Sequence, residues 1–215
     1  RDAPLAAAMA ADFTACIPAD SERHDPFRGG RIAGWKYYEG IQIAWAGLQA
    51  GAVLGNEARA LRHARLVDRA IAAGHLAPTG APWGDFEHLG HAVASAAYKA
   101  ETCGVMAWIR LQRGLLERDH DARHAAHIEA VLWNHLLGAQ RADGLAWEGH
   151  PAITFTGVRG RGREVSGCCA HSGPIALEEA VAAAFLPLAG VPALAIPLAG
   201  ERSAAGVRIR VDGAL

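Results

Sequence analysis

Two short motifs, Glu101-Thr102-Cys103 and Gly167-Cys168-Cys169, hold three of the four cysteines and the chemistry this sequence offers. Thiolates and carboxylates are ligands for a borderline-soft cation, and zinc takes four such groups at about 2.0–2.3 Å in a tetrahedron. Glu101, Cys103, Cys168 and Cys169 would fill those four positions. Three thiolates with one carboxylate and no obvious redox partner favour zinc over iron. The spacing is not that of a standard zinc finger, so a second reading stays open. In it the cysteines are buried structural thiols, and Glu101 is a first-turn carboxylate favoured by a helix dipole. Adjacent cysteines such as Cys168 and Cys169 rarely bond each other, because the ring they would close is strained. A four-cysteine disulfide framework is also uncommon in a chain of 215 residues. Reduced thiols on a metal fit better and point to a reducing compartment, so the expected location is cytoplasmic.

Both motifs fall at the heads of expected helices, where unpaired N–H groups and the positive dipole end lower thiol pKa. Apolar spacing predicts a helix over 35–53, ended by Gly55, and a second over 56–73 that Asn56 can cap. A prolyl and glycyl stretch over 76–83 is a loop. A third helix is expected over 101–117 and a fourth, capped by Asp121, reaching 140. Asp143-Gly144 is a turn signal. Ser172 or Gly173 opens a fifth helix with Pro174 in its first turn, running to about 185. Beyond Pro187 the residues 193–198 and 207–211 read as two strands. The expected fold is therefore mainly α, with helix hairpins over 1–188 and a strand hairpin over 189–215. Recurring helix pairs suit a solenoid or a toroid.

Composition excludes several classes. Hydrophobic residues make up 51% and charged residues 20%, as in ordinary globular proteins, and the net charge is −1. Lys36 and Lys99 are the only lysines, and the arginines are scattered without a basic stripe, so no nucleic-acid partner is expected. No apolar run reaches membrane-span length, and the alanine-rich 5–11 stretch, flanked by Asp2 and Asp12, is unlike a secretory signal.

The run Tyr98-Lys99-Ala100-Glu101-Thr102-Cys103-Gly104-Val105-Met106-Ala107 resembles the Tyr-x-x-Glu-Thr-Cys-Ala signature of the β-L-arabinofuranosidase-like glycoside hydrolases, glycoside hydrolase family 127. His127-Ile128-Glu129, Leu132 and Asn134, then Asp143-Gly144, follow the same pattern, and Gly167-Cys168-Cys169 is similar to the family's Cys-Cys motif. The resemblance spans about 80–180. It implies an (α/α) toroid followed by a β-sandwich, of which the C-terminal strands would be the start. It implies zinc held by Glu101, Cys103, Cys168 and Cys169, with Cys168 as nucleophile and Glu87 as general acid/base, Asp85 being the fallback. The implied reaction is retaining hydrolysis of a β-L-arabinofuranoside or related sugar, so the implied partner is a carbohydrate. Five or six helices are fewer than a closed toroid needs, which makes part of a toroid, completed in one reading by a second copy, the expected form. The other functional reading is a non-catalytic helical module whose zinc is purely structural.

The sequence departs from the family where a sugar would bind. It has His150-Pro151 near the family's Asn-Pro, and Ala170-His171-Ser172-Gly173 where the family continues with prolines and an Asn. His91, which follows Glu87, together with His150 and His171, are the candidate substrate contacts. Among the other histidines, His120, His124 and His127 read as a solvated helix face. Trp108 and Trp133 read as core, as do Tyr37 and Tyr38 in preference to a sugar-stacking role. Arg159, Arg161 and Arg163 read as a solvated loop in preference to a carboxylate clamp.

Overall fold

The computed structural model describes residues 37–82, 100–149, 167–188, 191–194, 196, 200–204 and 207–212. These residues are mainly α-helical. Helix α1 is Tyr37–Leu54, α2 Glu57–Ala72, α3 Thr102–Asp119, α4 Ala122–Val131 and α5 Gly167–Ala184. Helix α4 runs on through a π-helical turn, Leu132–Leu136, and a last α-turn, Leu137–Ala139. No helix among the described residues is long and apolar enough to cross a membrane.

Helix α3 is the axis of the packing. It lies against α1, α2, α4 and α5, and thirteen of its eighteen residues are buried. A helix buried on nearly all sides needs an almost continuous apolar run, and Val105, Ala107, Trp108, Ile109, Leu111, Leu115 and Leu116 supply it. Helix α1 presents Tyr37, Ile41, Ala44 and Leu48 to it, a stripe at helical spacing.

Local signals set the element ends. Gly55 adopts φ 73°, and the Asn56 N–H returns to the Gly51 carbonyl at 3.0 Å, the bond of a Schellman termination. The expected cap by the Asn56 side chain is not made. Asp121 does cap α4, accepting from the Arg123 N–H at 2.9 Å. Gly144, at φ 71°, closes the Asp143-Gly144 turn, and the chain doubles back so that Gln140 bridges to Trp147.

Several expectations need correction. Helix α5 begins at Gly167, five residues before the expected start, so Cys168 and Cys169 lie inside its first turn and Pro174 in its interior. A proline inside a helix forfeits one ladder hydrogen bond without forbidding the helix, and α5 packs along α3 across this stretch, with Cys169 Sγ 3.4 Å from Cys103 Sγ. The strands number four among the described residues. Phe185–Leu188 (β1) pairs with Val191–Leu194 (β2), and Gly200–Ala204 (β3) with Val207–Val211 (β4), both antiparallel. Pro187 and Pro192 sit opposite each other in the first pair. A two-stranded ribbon has only edge strands, where proline is tolerated, so Pro187 did not end regular structure.

His124 is buried at 1% exposure and is not on a solvated face. Its Nδ1 lies 2.7 Å from Gln112 Oε1, and Gln112 donates to the buried Asp68 at 2.8 Å. Arg123 stands 3.5 Å from Asp68, and Asp119 pairs with Arg65. Burial of the histidine there is helped by the Gln112 partner that its Nδ1 gains, while its Nε2 stands 3.6 Å from Asp119 Oδ2 without a hydrogen bond. His127 is half-buried, with its ring edge-on to Trp108 at 5.5 Å, whereas His120 is exposed. Trp108 is core, but Trp133 is 38% exposed because it lies off the Ile128, Leu132, Leu136 stripe.

Candidate metal centre

Two helix N-termini meet at one point. Cys103 is the second residue of α3, and Cys168 and Cys169 are the second and third of α5. Glu101 occupies the N-cap position of α3 in an extended conformation. The four ligand atoms, one from each of Glu101, Cys103, Cys168 and Cys169, all lie within 4.8 Å of one another.

The separations fit one ion. Cys103 Sγ is 3.4 Å from Cys169 Sγ, Cys168 Sγ is 4.0 Å from Cys169 Sγ, and Cys169 Sγ is 4.0 Å from Glu101 Oε1. Four ligands at ~2.3 Å in a tetrahedron stand about 3.8 Å apart. These spacings are too long for a disulfide, whose sulfurs are about 2.05 Å apart, and right for thiolates around a cation. The donor set can thus hold a metal ion. Among the described residues no other group of three or more His, Cys, Asp or Glu side chains does so.

Burial divides the ligands. Glu101, Cys103 and Cys169 are buried, while Cys168 is exposed. The Cys103 thiol is pushed well up, first by its hydrogen bond with Cys169 and then by burial, with the charges of Cys169 and Glu101 adding and Ser172 opposing. The hydrogen bond and burial lead and charge crowding adds to them; a cation held among these groups would act in the opposite direction.

The surroundings fix the ligands. Tyr37 Oη accepts the Glu101 N–H at 3.1 Å, and a methyl at Gly104 would overlap the Tyr37 ring. The Tyr37 hydroxyl is held protonated by burial and by the Glu101 charge. The Gly149 carbonyl, brought back by the Asp143-Gly144 turn, accepts the Thr102 N–H at 2.9 Å and lies 3.6 Å from Cys169 Sγ. The Trp147 indole fills the space a side chain at Gly173 would need, and donates to the Leu136 carbonyl at 3.1 Å. Ser172 Oγ lies 3.3 Å from Cys103 Sγ. Tyr38 is half-buried, and its hydroxyl is pushed up to about 12 by burial, then by the charges of Glu39, Glu101, Cys103 and Cys168.

His171 is described and exposed, one turn beyond Cys168 on α5. Glu87, Asp85, His91, His150 and the arginines at 159, 161 and 163 lie outside the described residues. Sequence reading missed Tyr37 as the support beneath Glu101, Gly149 as a backbone acceptor, and Ser172 as a contact of a cluster sulfur. Gly149 carries no sequence signal, since any residue has a carbonyl. Ser172 carries only the signal of a helix opener in the sequence.

The model of one protein family, the catalytic domain of β-L-arabinofuranosidase, GH127, matches residues 32–171. No curated protein and no solved structure matches the chain.

Proposed function

The chain belongs to this family of glycoside hydrolases, and on that premise we propose that it is a retaining enzyme for a β-L-arabinofuranoside or a related sugar, with Cys168 as nucleophile. The exposure of Cys168 carries this reading: of the three described cysteines it is the one open to solvent, yet its sulfur belongs to the ligand group. A purely structural zinc site is closed by its four ligands. Here three ligands form a buried floor and the fourth faces outward.

The metal is zinc in this proposal, and when bound it keeps Cys168 a thiolate at neutral pH and damps its basicity. Cys168 Sγ attacks the anomeric carbon; the carbon–sulfur bond forms as the bond to the leaving oxygen breaks. The Glu87 carboxyl gives its proton to that oxygen. Glu87, then a carboxylate, takes a proton from water as the water oxygen displaces Cys168 Sγ, which returns as thiolate. Two inversions at one carbon give net retention. Asp85 is the second candidate for the acid/base. His91, His150 and His171 are the proposed sugar contacts. The exposure of His171 a turn from Cys168 supports one of them.

The helix hairpins are proposed to be part of an (α/α) toroid over 1–188, and the strands beyond it the start of a β-sandwich. The two-residue link between α1 and α2, and the hairpins β1–β2 and β3–β4, support this.

The test is turnover of an aryl β-L-arabinofuranoside by the wild type and by Cys168→Ser. The wild type is expected to hydrolyse it with retention, and the variant to lose turnover while keeping its fold. A wild type that binds zinc, is folded and releases no aglycone sinks the proposal for this class of sugar.

A further inference from the structure

Ser172 touches a sulfur of the cluster, and the reaction proposed above makes no use of it. The residue is 5% exposed. Its Oγ has two acceptors in reach, Cys103 Sγ at 3.3 Å and the Cys168 carbonyl at 3.0 Å. A serine inside a helix ordinarily turns its hydroxyl to the carbonyl four residues earlier. Cys168 is that residue, so the shorter contact needs no explanation from function. The longer one crosses from α5 to a ligand sulfur on α3.

One proton must choose between these acceptors. A neutral carbonyl already lies on the helix ladder. A thiolate carries a full charge, and hydrogen bonds to ionised acceptors are roughly twice as strong as neutral ones. Once Cys103 has lost its proton, the sulfur is the better partner. The arrangement also fits what metal sites need beyond their ligands. Outer partners fix the direction of a ligand and tune its donor strength. Cys103 is buried at 2% exposure, so water does not supply that partner.

We propose that Ser172 is a positioning residue of the metal site, whose hydroxyl donates to Cys103 Sγ when that sulfur is a ligand. The bond holds Cys103 in place and draws electron density from it. The inference rests on the metal reading above, and the experiment separates the two.

The full chain is prepared as wild type, Ser172→Ala and Ser172→Thr, and each is loaded with Zn²⁺ and with Co²⁺ as a spectroscopic probe. In competition with a chelator, the alanine variant is expected to bind either ion about ten- to a hundred-fold more weakly. Its thiolate-to-cobalt charge-transfer band moves to longer wavelength, because a thiolate without its hydrogen bond gives up charge more easily. Threonine restores both. Metal-free stability moves the other way: alanine is the better helix former, so metal-free Ser172→Ala unfolds at a urea concentration equal to or above that of wild type. Unchanged affinity and an unchanged band in the alanine variant overturn the inference and leave Ser172 as an ordinary back-bonding serine. So does a loss of metal-free stability that accounts for the weaker binding. A wild type that takes up neither ion overturns the metal reading together with it.

Discussion

The tightest contact at the centre predicts the sign of a single substitution. Gly104→Ala installs the alanine that the family signature carries at this position, and in an ordinary helix it would stabilise by about 1 kcal/mol. Here the new Cβ would stand 2.7 Å from Tyr37 Cε2 and Cζ. Tyr37 is 1% exposed, so its ring does not yield into solvent without leaving the core. Overpacking of a closed site costs about 1–3 kcal/mol. Displacing the ring also takes Oη from the buried Glu101 N–H, and an unsatisfied buried donor costs about 1–3 kcal/mol. Less the helix gain of about 1 kcal/mol, the net expectation is a destabilisation of about 1–5 kcal/mol. Urea unfolding of the metal-free chain measures it as a lower midpoint at constant slope. Because Glu101 moves with Tyr37, metal affinity should fall as well. Combining Gly104→Ala with Tyr37→Phe should cost less than the sum of the single changes, since both remove the same hydrogen bond. A Gly104→Ala variant more stable than wild type, with metal affinity intact, would refute the reasoning.

Other outcomes follow from the same structure. His135 is buried, and burial pushes its pKa down from 6.5 to about 4, against a backbone hydrogen bond to Ala100 that raises it. The unfolded chain therefore binds more protons between those values, so stability is full above about pH 6.5 and falls as pH drops toward 4. The loss is on the order of 3 kcal/mol, and His63, His124 and His127, also lowered by burial, act in the same direction; denaturation between pH 4 and 7 should show a slope that His135→Gln reduces. Removal of the metal should lower the unfolding midpoint in a concentration-dependent way, by about 2.7 kcal/mol relative to protein held at a hundred times the dissociation constant. Equal midpoints with and without chelator would remove the metal from the folded state. Gly173→Ala should be destabilising, because the Trp147 indole occupies the space of its Cβ; near-ultraviolet circular dichroism of that indole reports the displacement.

Much of the helical framework was legible in the sequence, because apolar periodicity is a local property. The stripes of α1 and α3 and the Asp121 cap can be read residue by residue. Polar burial was not legible. His124 looks like a surface residue beside Arg123, and only the meeting of α2, α3 and α4 buries it and gives its Nδ1 Gln112 as a partner. The start of α5 was misread for a similar reason. Pro174 is a local signal, whereas the packing of α5 along α3, with Cys169 Sγ against Cys103 Sγ, is a long-range one. Strands containing Pro187 and Pro192 were hidden because their tolerance of proline depends on both being edges.

The sequence by itself singled out the residues that could hold a metal ion: a carboxylate and three thiols in two motifs, each near the head of a helix. Side-chain type and helix-terminus signals are written along the chain and need no partner to be read. Only the tertiary structure decided that motifs 66 residues apart, as Cys103 and Cys169 are, converge with their sulfurs 3.4 Å apart. It alone decided that Cys168 faces outward while its neighbour is buried, and that Tyr37, Gly149 and Ser172 line the cluster. Ligand geometry and solvent access depend on how helices pack, which is a long-range property of the fold.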